Sequence, residues 1–224
     1  MDLKKIIFWV AWWIASGKTY FCNNLINFLL DKDIPTRLIE VDSIRRYILY
    51  ISKEPHHYNI RTKLIQAFWM NENKNNFLNP SSFWKIIFSK SENMKKYREL
   101  VNPEIINIIH QKINILDGII LVEWAMLIED WMLSLVDNNV ILLNSNKNLQ
   151  LDRLKNGDLP NKEVLRRIEF TDWLGFIQRK DLIQKIQGEE WFWIFIPIDI
   201  NITLLDYQKT VFQTIYWLYN KNEN

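Results

Sequence analysis

The sequence predicts an α/β fold in which a five-stranded parallel sheet carries helices on both faces. Three observations predict it. Continuous apolar runs such as Gly118–Glu123 (GIILVE) and Asn139–Asn144 (NVILLN) are the pattern of strands buried on both faces. Stretches with apolar residues at helical spacing lie between such runs. Strands alternating with helices imply a parallel sheet.

Taken in order, Lys5–Ala11 reads as a buried first strand and 18–31 as the helix after it, with Phe21, Leu25, Phe28 and Leu29 on one face. Residues 31–35 form a turn before a short strand over 36–41 (TRLIEV). A helix is expected over 42–51, with Asp42 placed to cap it. Residues 53–89 are polar, aromatic and Asn-rich, and read as short helices and loops. The helical stretch 91–116 is expected to break near Asn102-Pro103, because the residue before a proline is pushed out of helix. After the strands at 118–123 and 139–144, charge-rich helices are expected over 148–155 and 162–179. A fifth strand follows over 192–198, and a closing helix over 203–219.

The chain has 224 residues, 48% of them hydrophobic, enough for one domain with a well-buried core. Its 28 Lys and Arg against 26 Asp and Glu argue against a nucleic-acid binder or a polybasic membrane-surface protein. The single cysteine, Cys22, excludes an internal disulfide framework and any multi-Cys zinc site, which fits a reducing cytoplasm. Cys22 reads as a small buried side chain. No run approaches the roughly 18–20 apolar residues that span a bilayer. The N-terminal residues outline a signal peptide, but acidic Asp2 and the continuation into Gly17-Lys18-Thr19 outweigh it.

That tripeptide is the most informative stretch of the chain. Gly17, Lys18 and Thr19 end a P-loop pattern, Gly, four residues, then Gly-Lys-Ser/Thr, at the expected strand-to-helix turn. Such a loop binds phosphate through backbone N–H groups and the helix N-terminus. Here that assigns Trp13, Ile14, Ala15, Ser16, Gly17, Lys18, Thr19 and Tyr20 to ATP. Lys18 would reach the β and γ phosphates, and the Thr19 hydroxyl a Mg²⁺ ion. The fold class becomes a P-loop NTPase-type three-layer sandwich.

The first glycine of the pattern is Trp12, whose indole would fill the space of the phosphate. Composition offers a reason. Average usage predicts roughly 16 glycines in a chain of this length, and the 5 glycines and 11 tryptophans together make up that number. With Trp read as Gly, 8–19 becomes FGVAGGIASGKT, an orthodox P-loop. Some bacterial lineages read UGA as glycine, and a translation taking UGA as tryptophan gives this text. The alternative is a tryptophan-rich protein with a degenerate loop.

Over nearly its whole length the chain resembles the dephospho-CoA kinase family. The family's Gly-Gly-Ile-Gly-Ser-Gly-Lys-Ser loop is matched by Trp12 to Thr19, and its Asp-x-Asp by Glu40-Val41-Asp42. Its Leu-Gly-x-Ile-Val-Phe-Ser signature is matched by 83–89 (FWKIIFS), and its His-Pro-x-Ile by Asn102-Pro103-Glu104-Ile105. Trp84 again falls on a family glycine. The Asp-x-Pro-Leu-Leu-x-Glu segment corresponds to 123–129 without its proline, and the lid arginines to Arg153 and Arg167, with Gly157 at a further lid arginine.

The resemblance implies one P-loop kinase domain with a CoA-binding helical insertion near 53–115 and a lid near 148–180. It implies transfer of the ATP γ-phosphate to the 3′-hydroxyl of dephospho-CoA, in the cytoplasm, by a monomer or weak oligomer. Asp42 would then be the general base, and Arg153 and Arg167 would neutralise the transferred phosphoryl group. Glu123 either orients water on Mg²⁺ or is a capping or ion-paired carboxylate. His56 and His57 have no third metal ligand at supporting spacing and read as loop residues near the substrate region. Phe68-Trp69 and Phe83-Trp84 read as core packing. The rivals are another nucleoside or nucleotide kinase of this fold, and a non-catalytic P-loop-fold binding protein.

Overall fold

The computed structural model describes residues 5–11, 18–70, 77–124, 139–144, 181, 193–197 and 204–221. The expected helices at 148–155 and 162–179 therefore lie outside the described residues, as does the loop 12–17. The chain forms two compact units: Met1–Ile39 with Ile113–Asn224, and Glu40–Lys112.

The first unit is built on the sheet. Its strands are β1 (Lys5–Ala11), β2 (Thr36–Glu40), β3 (Gly118–Glu123), β4 (Asn139–Asn144) and β5 (Trp193–Pro197), in the order β2-β3-β1-β4-β5. The expected five parallel strands are met by a parallel ladder through four, with β2 beside β3 at the edge. Lys5 to Val10 pair with Gly118 to Glu123, Phe8 to Ala11 with Asn139 to Leu142, and Val140 to Asn144 with Trp193 to Pro197. Central β1 is buried from Ile7 to Ala11 and β3 from Ile119 to Val122, which is why both read as unbroken apolar runs. Among the helices of this unit are α1 (Lys18–Leu30) and a C-terminal helix (Leu204–Lys221). They meet through Phe21 and Phe28 on Phe212, with ring centroids 5.6 and 5.5 Å apart.

One glycine is required by sterics. Gly118 opens β3 at φ +83, and a Cβ there would sit 2.0 Å from the Pro35 carbonyl oxygen, which accepts the Ile119 N–H at 2.8 Å. Helix α1 closes with the Ile34 N–H donating to Leu29 and the Asp33 N–H to Leu30. Asp33 takes the left-handed position at φ 59, which its short polar side chain tolerates.

The second unit begins with α2 (Val41–Arg46) and a π turn over Tyr47–Ile51, where one helix over 42–51 was expected. Asp42 does not cap: α2 starts one residue earlier, with Glu40 at the cap position. Asp42 lies in the first turn, its side chain 72% exposed, accepting from Arg45 Nη1 at 2.6 Å. The wider turn is stabilised from another helix. Buried Arg61 on α3 (Pro55–Ala67) donates to the Ile48 carbonyl at 2.6 Å and lies 4.8 Å over the Phe77 ring. Burial pulls the Arg61 guanidinium below its ordinary pKa, and nearby Tyr58 partly offsets this.

Next come α4 (Pro80–Ile87), capped by the Asn79 side chain on the Ser82 N–H at 3.1 Å, and α5 (Ser91–Asn114). Contrary to expectation, α5 runs through Pro103. A buried stripe of Met94, Tyr97, Val101, Ile105, Ile109 and Ile113 spans the proline at three- and four-residue spacing, and its burial outweighs the lost hydrogen bond.

The tryptophans fall into different environments. Trp9 and Trp124 are buried with ring centroids 5.8 Å apart, and among the described residues neither indole N–H has a hydrogen-bond partner. Leaving such a group unsatisfied costs about 1–3 kcal/mol. Trp69 does not join the core as expected. It is 94% exposed and left-handed at φ 53, where its N–H donates to Gln66 and that of Met70 to Ile65. That is the Schellman position after a helix, which glycine normally occupies. Trp84 does pack, against Phe83, Phe88 and Tyr97 at 5.1–5.5 Å.

Candidate functional site

The sheet order fixes where a ligand site is expected. From β1 the chain crosses to β2 on one side, whereas β4 and β5 lie on the other, so the order reverses beside β1. In open α/β sheets ligands bind outside the carboxyl ends of the strands at such a point. β1 ends at Ala11 and β3 at Glu123, with Glu123 in register with Val10. The ladder is prolonged by the Trp124 N–H, which donates to the Val10 carbonyl at 3.3 Å.

At that place Thr19, the second residue of α1, donates its hydroxyl to both carboxylate oxygens of Glu123, each at 3.2 Å. Helix α1 runs from Lys18, so Thr19 lies in its first turn. A hydroxyl and a carboxylate meeting at an exposed strand end are hard oxygen donors, the set that Mg²⁺ takes. These residues fit the ion. Tyr20 follows, exposed, with its carbonyl accepting from Asn24 Nδ2 at 2.8 Å.

Of the other sequence-derived site residues, Lys18 opens α1 and Asp42 lies on α2 in the second unit, ion-paired to Arg45. Trp13, Ile14, Ala15, Ser16, Gly17, Arg153 and Arg167 lie outside the described residues. Cys22 is buried, as expected.

The second unit holds a polar cluster that the spacing of residues had not suggested. His56 and His57 are not loop residues but stand in the first turn of α3, and Glu104 of α5 accepts from both: His56 Nε2 and His57 Nε2 each lie 3.1 Å from Glu104 Oε1. No short-range pattern could have found Glu104, since only the packing of α3 on α5 brings it to the pair. Buried Arg61 was missed for the same reason.

No protein-family profile matches the sequence. Among solved structures, TT1252 from Thermus thermophilus is similar with a TM-score of 0.64 at 16% identity, over 95% of this chain and 97% of that one. A shikimate kinase from Bacteroides thetaiotaomicron aligns over 96% of this chain and 98% of its own with a TM-score of 0.47 at 10% identity. A shikimate kinase from Acinetobacter baumannii in complex with shikimate aligns over 97% and 94% with a TM-score of 0.42 at 13% identity. The likeness to TT1252 shows a shared α/β fold with a parallel sheet, and no argument rests on the two weaker ones. Among the described residues, no helix is long and apolar enough to cross a membrane.

Proposed function

We propose that this chain is an ATP-dependent P-loop kinase that phosphorylates the 3′-hydroxyl of dephospho-CoA to give coenzyme A. The observation that carries the kinase reading is the Thr19 hydroxyl of the Gly17-Lys18-Thr19 sequence on the Glu123 carboxylate, at the end of β3. The acceptor rests on the sequence signature 83–105, which a generic nucleotide kinase has no reason to carry.

In this reading Lys18 and the loop 13–17 hold the ATP phosphates, and Thr19 and Glu123 position the Mg²⁺ that screens them. Asp42, held by Arg45, takes the proton from the acceptor hydroxyl. The acceptor oxygen bonds to the γ-phosphorus as the bond to the bridging oxygen breaks, and ADP leaves. Arg153 and Arg167, from the lid near 148–180, neutralise the three equatorial oxygens in transit. The helical insertion near 53–115 binds the CoA moiety. Tryptophans 9, 12, 13, 84 and 124 stand at glycine positions of the working enzyme. The orphaned indoles of Trp9 and Trp124 support this, whereas the packing of Trp84 does not.

The test is ATP-dependent phosphorylation of dephospho-CoA by the chain as written and by a version with those five tryptophans replaced by glycine. Turnover is expected in the glycine version, and Thr19→Ala or Glu123→Gln in that background should lower kcat at least about tenfold and raise the Mg²⁺ requirement. ATP hydrolysis without dephospho-CoA turnover would leave a kinase with another acceptor. Absence of ATP binding in both versions would refute the kinase reading.

A further inference from the structure

We infer that the second unit contains a binding site for a first-row divalent transition-metal ion of the Zn²⁺ class, formed by Glu54, His56, His57 and Glu104. This site is separate from the Mg²⁺ site proposed above and does not depend on the kinase reading. His56 Nε2 and His57 Nε2 lie 3.1 Å from Glu104 Oε1, and His56 Nε2 lies 3.4 Å from Glu54 Oε2. The ligand atoms of Glu54, His56 and His57 all lie within 4.8 Å of one another. A tetrahedral ion with bonds of about 2.0–2.2 Å has ligand-to-ligand edges of about 3.3–3.6 Å. The three separations of 3.1, 3.1 and 3.4 Å lie near that range, and the Glu54 and Glu104 carboxylates must draw toward one another to complete the set.

The outer contacts match those of a metal centre. His57 is buried, and its Nδ1 is 2.6 Å from the Ser52 hydroxyl, which fixes the ring with Nε2 facing the carboxylates. Tyr47 donates its phenol to Glu54 Oε1 at 2.9 Å, and Asn107 donates to Glu104 Oε2 at 3.5 Å. Three of the four ligands therefore have a partner on the atom that does not face the centre. The two imidazole rings stand 4.0 Å apart at 56°. Two neutral imidazoles and two carboxylates carry a charge that a divalent cation neutralises, and nitrogen donors select a transition metal over Mg²⁺ or Ca²⁺. Four protein ligands leave no open position, so the ion is structural and ties the start of α3 to α5.

The test is competition for Zn²⁺ between the full chain and a chromophoric chelator, with Co²⁺ absorption as a second readout. One equivalent should bind per chain, survive millimolar Mg²⁺, give the intense visible bands of tetrahedral Co²⁺, and raise the Tm. His56→Gln and Glu104→Gln should each weaken Zn²⁺ at least about tenfold and abolish the Tm rise. Ser52→Ala keeps all four ligands and should weaken binding about 10–100-fold through loss of the Nδ1 partner. His110→Gln, an exposed histidine elsewhere on α5, and Cys22→Ser should change nothing. No stoichiometric Zn²⁺ binding, or binding that survives His56→Gln and Glu104→Gln within about threefold, would overturn the inference. So would binding that Cys22→Ser removes.

Discussion

Replacing Trp69 by glycine should stabilise this protein, although it deletes the largest of side chains. In the left-handed region an L-residue is disfavoured by about 1–2 kcal/mol, and Trp69 sits there at φ 53. Glycine escapes that strain but loses more chain entropy on folding, about 0.5–1 kcal/mol. The indole is 94% exposed, so its removal forfeits little buried surface. The Schellman bonds from Trp69 to Gln66 and Met70 to Ile65 are backbone only and survive the change. The net expectation is a gain of about 0.5–1 kcal/mol, or about 1–4 °C in Tm at this size. Urea denaturation followed by far-UV circular dichroism reads it as a higher midpoint at unchanged slope. Trp69→Ala is the control, since alanine has lost the indole but keeps a Cβ at positive φ. A glycine variant no more stable than the alanine variant would refute the strain argument.

Two further predictions concern other positions. Gly118→Ala should cost at least about 3 kcal/mol in the same assay, because its Cβ meets the Pro35 carbonyl at 2.0 Å and φ is +83. Exposed Asp117→Ala next to it should stay within about 0.5 kcal/mol, and similar losses from both would sink the steric reading. Tyr50 should titrate late. Burial pushes its phenol up to about 12, against the opposing pull of Trp84, Arg45 and Arg46. A raised pKa gives stability that is complete below the unfolded value of about 10 and lost as pH climbs through the folded one. After allowing for partial exposure, about 1–2 kcal/mol should disappear between pH 10 and 12 in the parent and not in Tyr50→Phe. An identical pH profile for the two would remove Tyr50 as the cause.

The sheet was legible because its signals are local. β1, β3 and β4 begin and end where their apolar runs do, since strands buried on both faces cannot tolerate polar interruptions. Local rules failed where tertiary burial outweighed them. Pro103 reads as a helix break, yet the stripe from Met94 to Ile113 carries α5 through it. Asp42 reads as a cap, yet α2 starts one residue earlier and leaves that carboxylate to Arg45. The Gly17-Lys18-Thr19 pattern was visible because its residues are consecutive, and Thr19 does meet Glu123. The meeting of His57 with Glu104 was not visible, because two helices far apart in sequence supply it.

The strand order also sets a timetable for synthesis. β1 emerges first but has no partner until Gly118 arrives to face Lys5, and its other neighbour begins only at Asn139. By then the whole of Glu40–Lys112 has left the ribosome, with its pairing of α3 to α5 already complete in sequence. At about 5–20 residues per second this apolar strand waits for several seconds exposed. Nascent chains of this protein should therefore depend on holding chaperones at β1 until β3 and β4 are made.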